Sequence, residues 1–213
     1  PTPTACTVTA TSSIGGSIVP SGQVALALGA TNSFTYSPAQ WFHVNSVLVD
    51  GVPVATPGVY TFTNAVIDHT IMAQFAPDLA SSNTPKWWLA QANPDWTNDF
   101  NAAETNDADG DGLFTWQEYI TGTDPTNHES ALCINIAFGN GSSVITLPTI
   151  TPRPLYGGLK RYYGLQETTN LRTGPWMGIE EWTNIQAAGQ TILCSNPVVA
   201  TNVFFSGKAW LGP

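Results

Sequence analysis

The chain has 213 residues, six Lys or Arg against fifteen Asp or Glu, a formal net charge of −9 and a pI near 4.4. Charged residues make up only 10%, against about 25% in an ordinary soluble domain, while 42% hydrophobic content supplies real cores and excludes wholesale disorder. No Lys or Arg precedes Lys86 and no basic run occurs, which removes the electrostatic footprint of a nucleic-acid binder. No apolar run approaches the ~20 residues of a membrane helix, so no transmembrane segment is expected, and Pro1 reads as the mature N-terminus of a secreted chain.

The first stretch, Pro3-Thr4-Ala5-Cys6-Thr7-Val8-Thr9-Ala10, reads as a short strand-like arm over residues 1–10. Residues 11–77 then read as a β domain. Val24–Leu28, Ser33–Tyr36, Val44–Val49, Val59–Thr63 and Thr70–Phe75 are short apolar or alternating runs, and Asp50-Gly51 is a strong hairpin signal. Residues 78–85 have linker composition. Residues 86–129 differ in kind: nine of the fifteen acids fall between Asp95 and Glu129. Trp87–Gln91, Asn101–Glu104 and Phe114–Ile120 suit short helices, the last closed by Gly122 and Asp124-Pro125. Over 130–213 strands return, at Cys133–Phe138, Ser143–Leu147, Arg161–Glu167, Thr191–Cys194 and Asn202–Trp210. That is five or six, about one short of a closed seven-strand sandwich. The expected fold is mainly β: two immunoglobulin-like β-sandwich domains joined by a small helical calcium-binding connector.

The sharpest motif is Asp107-Ala108-Asp109-Gly110-Asp111-Gly112 with Glu118 at the twelfth position. It matches D-x-[DN]-x-[DN]-G-x₅-E in full. Asp107, Asp109 and Asp111 offer hard carboxylate oxygens from alternate residues, and Gly112 permits the sharp turn. Leu113 gives its backbone carbonyl, Thr115 holds a water, and Glu118 clamps bidentately from a following helix. Phe114 takes the inward apolar position, and Asp124 either adds a ligand or merely stops the helix. The expected cofactor is one structural calcium ion. EF-hand sensors pair their loops; a single loop fits stabilisation rather than signalling.

Three stretches carry resemblances. Gly15–Gly22, Val49–Val52, Tyr60–Asn64 and Asp68–Phe75 together resemble the bacterial extracellular β repeat related to internalin B-repeats, over residues 6–76. Asp107–Pro125 resembles the thrombospondin type 3-like or dockerin-like calcium segment of secreted bacterial proteins, without the duplication that dockerin uses for cohesin binding. Arg161–Tyr163 through Leu171 and Trp176 is similar to β-sandwich modules that follow such segments. These resemblances imply export, sandwich folds and a calcium-ordered connector; they do not imply a catalytic activity.

A search for catalysis agrees. No G-x-S-x-G or H-E-x-x-H occurs, and His43, His69 and His128 belong to no catalytic motif. Glu180 and Glu181 are adjacent, and adjacent strand residues point to opposite faces, whereas glycosidase carboxylates face each other across a cleft. Asn140-Gly141-Ser142 is a formal glycosylation sequon but reads as a hairpin turn. The three cysteines have no metal-ligand spacing. Their arithmetic in a secreted chain favours a Cys133–Cys194 disulfide with Cys6 left over for cross-linking; three reduced thiols are the alternative. Of the eight tryptophans, Trp87, Trp88, Trp96 and Trp116 read as a miniature core for the connector, while Trp176, Trp182 and Trp210 read as core or as sugar-stacking platforms.

Two functions compete. The first is a non-enzymatic structural subunit of an extracellular, cell-surface filament. Its partners are copies of itself, and its N-terminal strand, Pro3 to Ala10, completes a neighbour's open sheet. On that reading, deletion of residues 1–10 leaves folded monomers that fail to polymerise. The second is a carbohydrate-binding or adhesion module of a larger secreted protein, with surface glycans as partners.

Overall fold

The structure is a computed structural model that describes residues 4–55, 58–139, 142–150, 155, 158–197 and 203–213. Pro3, the Asn140-Gly141 pair expected to form a turn, and Asn202 at the start of the expected last strand lie outside the described residues. The fold is mainly β, with 48% of residues in strands and 15% in helices. The chain divides into two compact units, Pro1–Ala80 with Pro85–Gln91, and Ser81–Thr84 with Ala92–Pro213.

The first unit has eight strands among its described residues: β1 (Ala5–Ser12), β2 (Gly16–Val19), β3 (Gly22–Ala27), β4 (Ala30–Pro38), β5 (Phe42–Val49), β6 (Val52–Val54), β7 (Val59–Ala65) and β8 (His69–Pro77). They form a five-stranded sheet in the order β3-β1-β8-β5-β6 and a three-stranded sheet in the order β2-β4-β7. Period-two alternation sends Cys6, Val8 and Ala10 of β1, and Ile71, Ala73 and Phe75 of β8, into one core with Ile18, Phe34, Tyr36 and Phe62 of the other sheet. Phe34 and Phe62 meet edge-on, with ring centroids 5.7 Å apart. The Gly15-Gly16 pair is steric in origin: a Cβ on Gly15 would run into the Phe42 ring, and one on Gly16 into the Phe75 ring. Helix α1 (Lys86–Ala92) follows an isolated Leu79–Pro85 bridge and buries Leu89 completely.

Here the expected N-terminal arm is corrected. Residues 5–10 are not free: β1 is antiparallel to β3, with Ala5 opposite Ala27 and Ala10 opposite Gly22, and parallel to β8, with Val8 opposite His69. Hydrophobic burial explains this, because Val8 is 0% exposed and Cys6 3%.

The second unit opens with a 3₁₀ turn (Pro94–Asn98), α2 (Phe100–Glu104) and α3 (Thr115–Thr121). Asp99 caps α2 through its carboxylate, which accepts from the amides of Asn101 at 3.1 Å and Ala102 at 3.0 Å. Seven strands follow among the described residues: β9 (Asn135–Gly139), β10 (Ser142–Pro148), β11 (Lys160–Thr168), β12 (Met177–Gly178), β13 (Ile185–Gln186), β14 (Thr191–Pro197) and β15 (Phe204–Gly212). One sheet runs β14-β10-β9. In the other, β11 pairs with β12, β13 and the long β15. Ile145, Leu147, Tyr163, Leu165, Ile192 and Cys194 form the buried centre. The strands absent from the sequence reading, β2, β6, β12 and β13, have two to four residues each, too few to show a period.

The Cys133–Cys194 disulfide is not formed. All three thiols are free, with Cys133 exposed and Cys6 and Cys194 buried. Cys194 points inward from β14, while Cys133 precedes β9 on the surface; proximity in sequence did not give proximity of side chains. Burial also removes Cys6 as a cross-linking residue: its thiol faces the Ala65 carbonyl at 3.5 Å inside the core.

Candidate metal centre

Between α2 and α3 the chain is wound by its own aspartates. Asp107 accepts from the amides of Gly110 at 2.8 Å and Gly112 at 3.0 Å, and Asp111 from that of Leu113 at 2.7 Å. Gly110 and Gly112 have φ of 80° and 97°, the left-handed turns that fold an acidic hexapeptide back on itself. Asn106 O closes the loop by accepting from both the amide and the hydroxyl of Thr115, at 2.9 and 3.0 Å. Gln117 then starts α3, its Oε1 accepting from the Phe114 amide at 2.8 Å.

This winding brings Asp107, Asp109 and Asp111 together, with one carboxylate oxygen from each within 4.8 Å of the others. Glu118 lies outside that 4.8 Å set but is 0% exposed. Its Oε1 accepts from the Thr123 hydroxyl at 3.2 Å. Its Oε2 is buried without a hydrogen-bond partner, as are Asp109 Oδ2 and Asp111 Oδ2. Burial, and then the charges of Asp109, Asp111 and Asp107, push the Glu118 pKa up to about 8 against the pull of the Thr123 hydrogen bond. Partnerless buried carboxylate oxygens are costly unless a cation meets them, and hard oxygens in this number suit Ca²⁺ better than Mg²⁺.

The other loop residues also hold the backbone. The Leu113 amide anchors the loop by donating to Asp111 Oδ1, separately from the role expected of its carbonyl. The Thr115 hydroxyl donates to Asn106 O and so helps hold the loop ends together. Asp124 is a turn residue: its Oδ1 accepts from the Thr126 amide and hydroxyl at 3.1 and 2.8 Å. Phe114, expected to face inward, is 47% exposed. Trp87, Trp88, Trp96 and Trp116 are half-buried, and the buried apolar residues between positions 86 and 121 are Leu89, Phe100, Ala103 and Tyr119.

Sequence reasoning missed the anchor of α3. Arg161, on β11 and 5% exposed, donates from Nε to Ile120 O at 2.7 Å and from Nη2 to Tyr119 O at 2.8 Å. The Tyr163 hydroxyl donates to Thr121 O at 2.6 Å. Three carbonyls at the C-terminal end of α3 are therefore met by a cation and a phenol from one strand, which satisfies orphan acceptors and opposes the helix dipole. Gly122, at φ 83°, lets the chain leave beneath the guanidinium. Tyr162 and Tyr163 drew notice only as a resemblance, and nothing local in the sequence pairs Arg161 with Tyr119.

A second anchor lies on α2. Glu104, 0% exposed, accepts at Oε1 from the Ser81 hydroxyl at 2.7 Å and the Ser82 amide at 2.6 Å. Burial alone would raise its pKa, but these donors, with Thr84 beside them, hold it below the usual carboxylate range.

The histidines form no catalytic group among the described residues. His69 Nδ1 lies 2.7 Å from Asp50 Oδ2, its ring rests on Phe62 at 4.9 Å, and no hydroxyl or thiol is hydrogen-bonded to its other nitrogen. His43 pairs with Asp78 at 2.8 Å, and exposed His128 with Glu129 at 3.4 Å. Glu180 and Glu181 sit in an exposed 3₁₀ turn.

Comparison of the chain with protein-family models, with curated proteins and with solved structures finds no match.

Proposed function

We propose that this chain is a non-enzymatic structural module of an extracellular bacterial surface protein, built as two immunoglobulin-like sandwiches and a helical segment that holds one structural calcium ion. The observation that carries it is the set of buried, partnerless carboxylate oxygens on Asp109, Asp111 and Glu118, on a helix clamped at its far end by Arg161 and Tyr163. An ion there ties the loop to the N-terminal part of α3 while β11 holds the C-terminal part. Such a site stiffens a domain.

Copies of the chain are the partners in this reading. Because β1 lies between β3 and β8 of its own sheet, assembly proceeds by exchange of β1 between copies, a domain swap in which each vacated slot accepts a neighbour's strand. Deletion of residues 4–12 is then expected to unfold the first unit rather than leave a folded monomer.

Calorimetric titration of chelator-treated protein tests the metal: one Ca²⁺ per chain and a raised melting temperature are expected, and no binding refutes it. Electron microscopy in millimolar calcium tests assembly, where dispersed monomers at every concentration remove the filament from the reading.

A further inference from the structure

The sheet built on β11 has a core side and an open side. Arg161, Tyr163 and Leu165 are buried on the first. Alternation and register place Tyr162, Gly164 and Gln166 on the second, opposite Trp210, Lys208 and Ser206 of β15. A cleft of about 470 Å³ opens there, with Gly164, Gln166, Thr183, Asn184, Lys208 and Trp210 in its lining. That volume is in the range of small-molecule sites.

The cleft has a platform, a floor and a set of polar arms. Trp210 is the platform: Tyr162 stacks against it at 6.0 Å with an interplanar angle of 18°, and is itself fixed by its hydroxyl, which donates to Pro213 O at 3.0 Å. Gly164 is the floor. A Cβ there would lie 3.1 Å from Trp182 O and 3.5 Å from Trp210 Cη2, so any side chain would crowd the space beside the indole. Gln166 and Asn184 each bring two donors and an acceptor, Thr183 a hydroxyl, and Lys208 an ammonium 5.8 Å from the Trp210 ring centre.

The geometry points to a glycan-binding cleft in which one pyranose ring stacks on Trp210 and its hydroxyls are read by Gln166, Asn184, Thr183 and Lys208. The C–H face of a sugar carries slight positive charge and meets the negative face of an indole. The equatorial hydroxyls around that ring need donors and acceptors together, which amide side chains supply. A nucleotide fits poorly, because Lys208 is the only charge among the described lining residues, in a chain whose net charge is −9. Among the described residues no carboxylate lines the cleft.

The test is titration of the full chain, in calcium, with two arms of soluble oligosaccharide: neutral β-linked hexoses and pentoses, and oligouronates. Tryptophan emission and calorimetry are the readouts. Saturable binding in either arm, accompanied by a change in tryptophan emission, is expected. Binding in the neutral arm makes Lys208 a donor to hydroxyls, and binding in the uronate arm makes it the partner of a carboxylate. Lys208→Ala and Gln166→Ala are each expected to weaken binding about tenfold, and Trp210→Ala to abolish it. Lys208 is exposed and Gln166 half-buried, and these two decide the matter if the third does not fold. A silent panel, or binding indifferent to these substitutions, overturns the inference. Calcium stoichiometry measured on the same samples keeps failure of the cleft distinct from failure of the metal site.

Discussion

Arg161→Met is the perturbation that most directly tests how the acidic loop and the second β unit hold together. The guanidinium makes two charge-assisted hydrogen bonds, at 2.7 and 2.8 Å, to carbonyls that close α3. Bonds to charged groups contribute about 1.5–3 kcal/mol each. Methionine returns part of this through apolar burial, so a net loss of about 3 kcal/mol is expected. For a unit of this size that lowers the melting temperature by roughly 10 °C. Tyr163→Phe removes a neutral bond of 2.6 Å to Thr121 O and a longer one of 3.4 Å from the Ile150 amide, and is expected to cost about 1–2 kcal/mol. Because α3 also carries Glu118, freeing its C-terminal end loosens the metal clamp, and calcium affinity is expected to fall at least about tenfold, or 1.4 kcal/mol. Urea denaturation in excess calcium, followed by tryptophan fluorescence, gives the first quantity, and calcium titration the second. If Arg161→Met destabilises the unit while calcium affinity is unchanged, the two ends of α3 act independently and the clamp argument is refuted.

Glu118→Gln should reduce calcium affinity by more than about tenfold, which a direct titration reads. In chelated wild-type protein the Glu118 pKa rises from 4.5 to about 8, so the folded state binds the extra proton. Stability is therefore expected to fall as pH rises from about 4.5 to 8, and to flatten in Glu118→Gln; a flat wild-type profile counts against the buried acid. Glu104 behaves oppositely: its lowered pKa contributes stability present above the usual carboxylate range and lost as pH falls through its folded value. Glu104→Gln should erase that acid-side loss in denaturation curves measured in calcium. Gly122→Ala forces a left-handed alanine whose Cβ would lie 2.7 Å from the Arg161 guanidinium; a loss of about 2–4 kcal/mol is expected, and near-neutral stability would be evidence against the docked geometry. In native protein one thiol, Cys133, should alkylate rapidly, while Cys6 and Cys194 wait for unfolding, the latter further slowed by burial that raises its pKa beside Glu167 and Glu181. Equal labelling of all three sites would contradict the burial pattern.

The acidic loop was legible because chelation writes its requirements into consecutive residues: Asp107, Asp109, Asp111 and Glu118 keep fixed offsets whatever surrounds them. Longer strands were legible for a related reason, since β4, β5, β8 and β11 run long enough to show alternation. The failures share a cause too. Cys6 and Val8 look like any weakly patterned N-terminus until β8, 61 residues on, is seen to lie beside them. The Arg161 contacts span 41 and 42 residues and leave no local period or spacing. The Cys133–Cys194 pairing failed on direction, because a sequence says which residues are near along the chain and not which way a side chain leaves the sheet. The Trp210 cleft was half legible: aromatics were noticed, but Gly164 as its floor is a fact of two strands in register.

The position of β1 sets the order in which the first unit is completed. The first strand made is hydrogen-bonded to the last, β8. A chain emerging N-terminus first can therefore pair β1 with β3, β4 with β2 and β7, and β5 with β6, but it lacks the strand that joins β1 to β5 until Pro77 has been released. Closure is then one late event rather than a gradual accretion, since the distant pairing brings its gain only when both edges are present. A block acting between residues 27 and 69 would leave β1 and β5 without the strand that joins them in the five-stranded sheet.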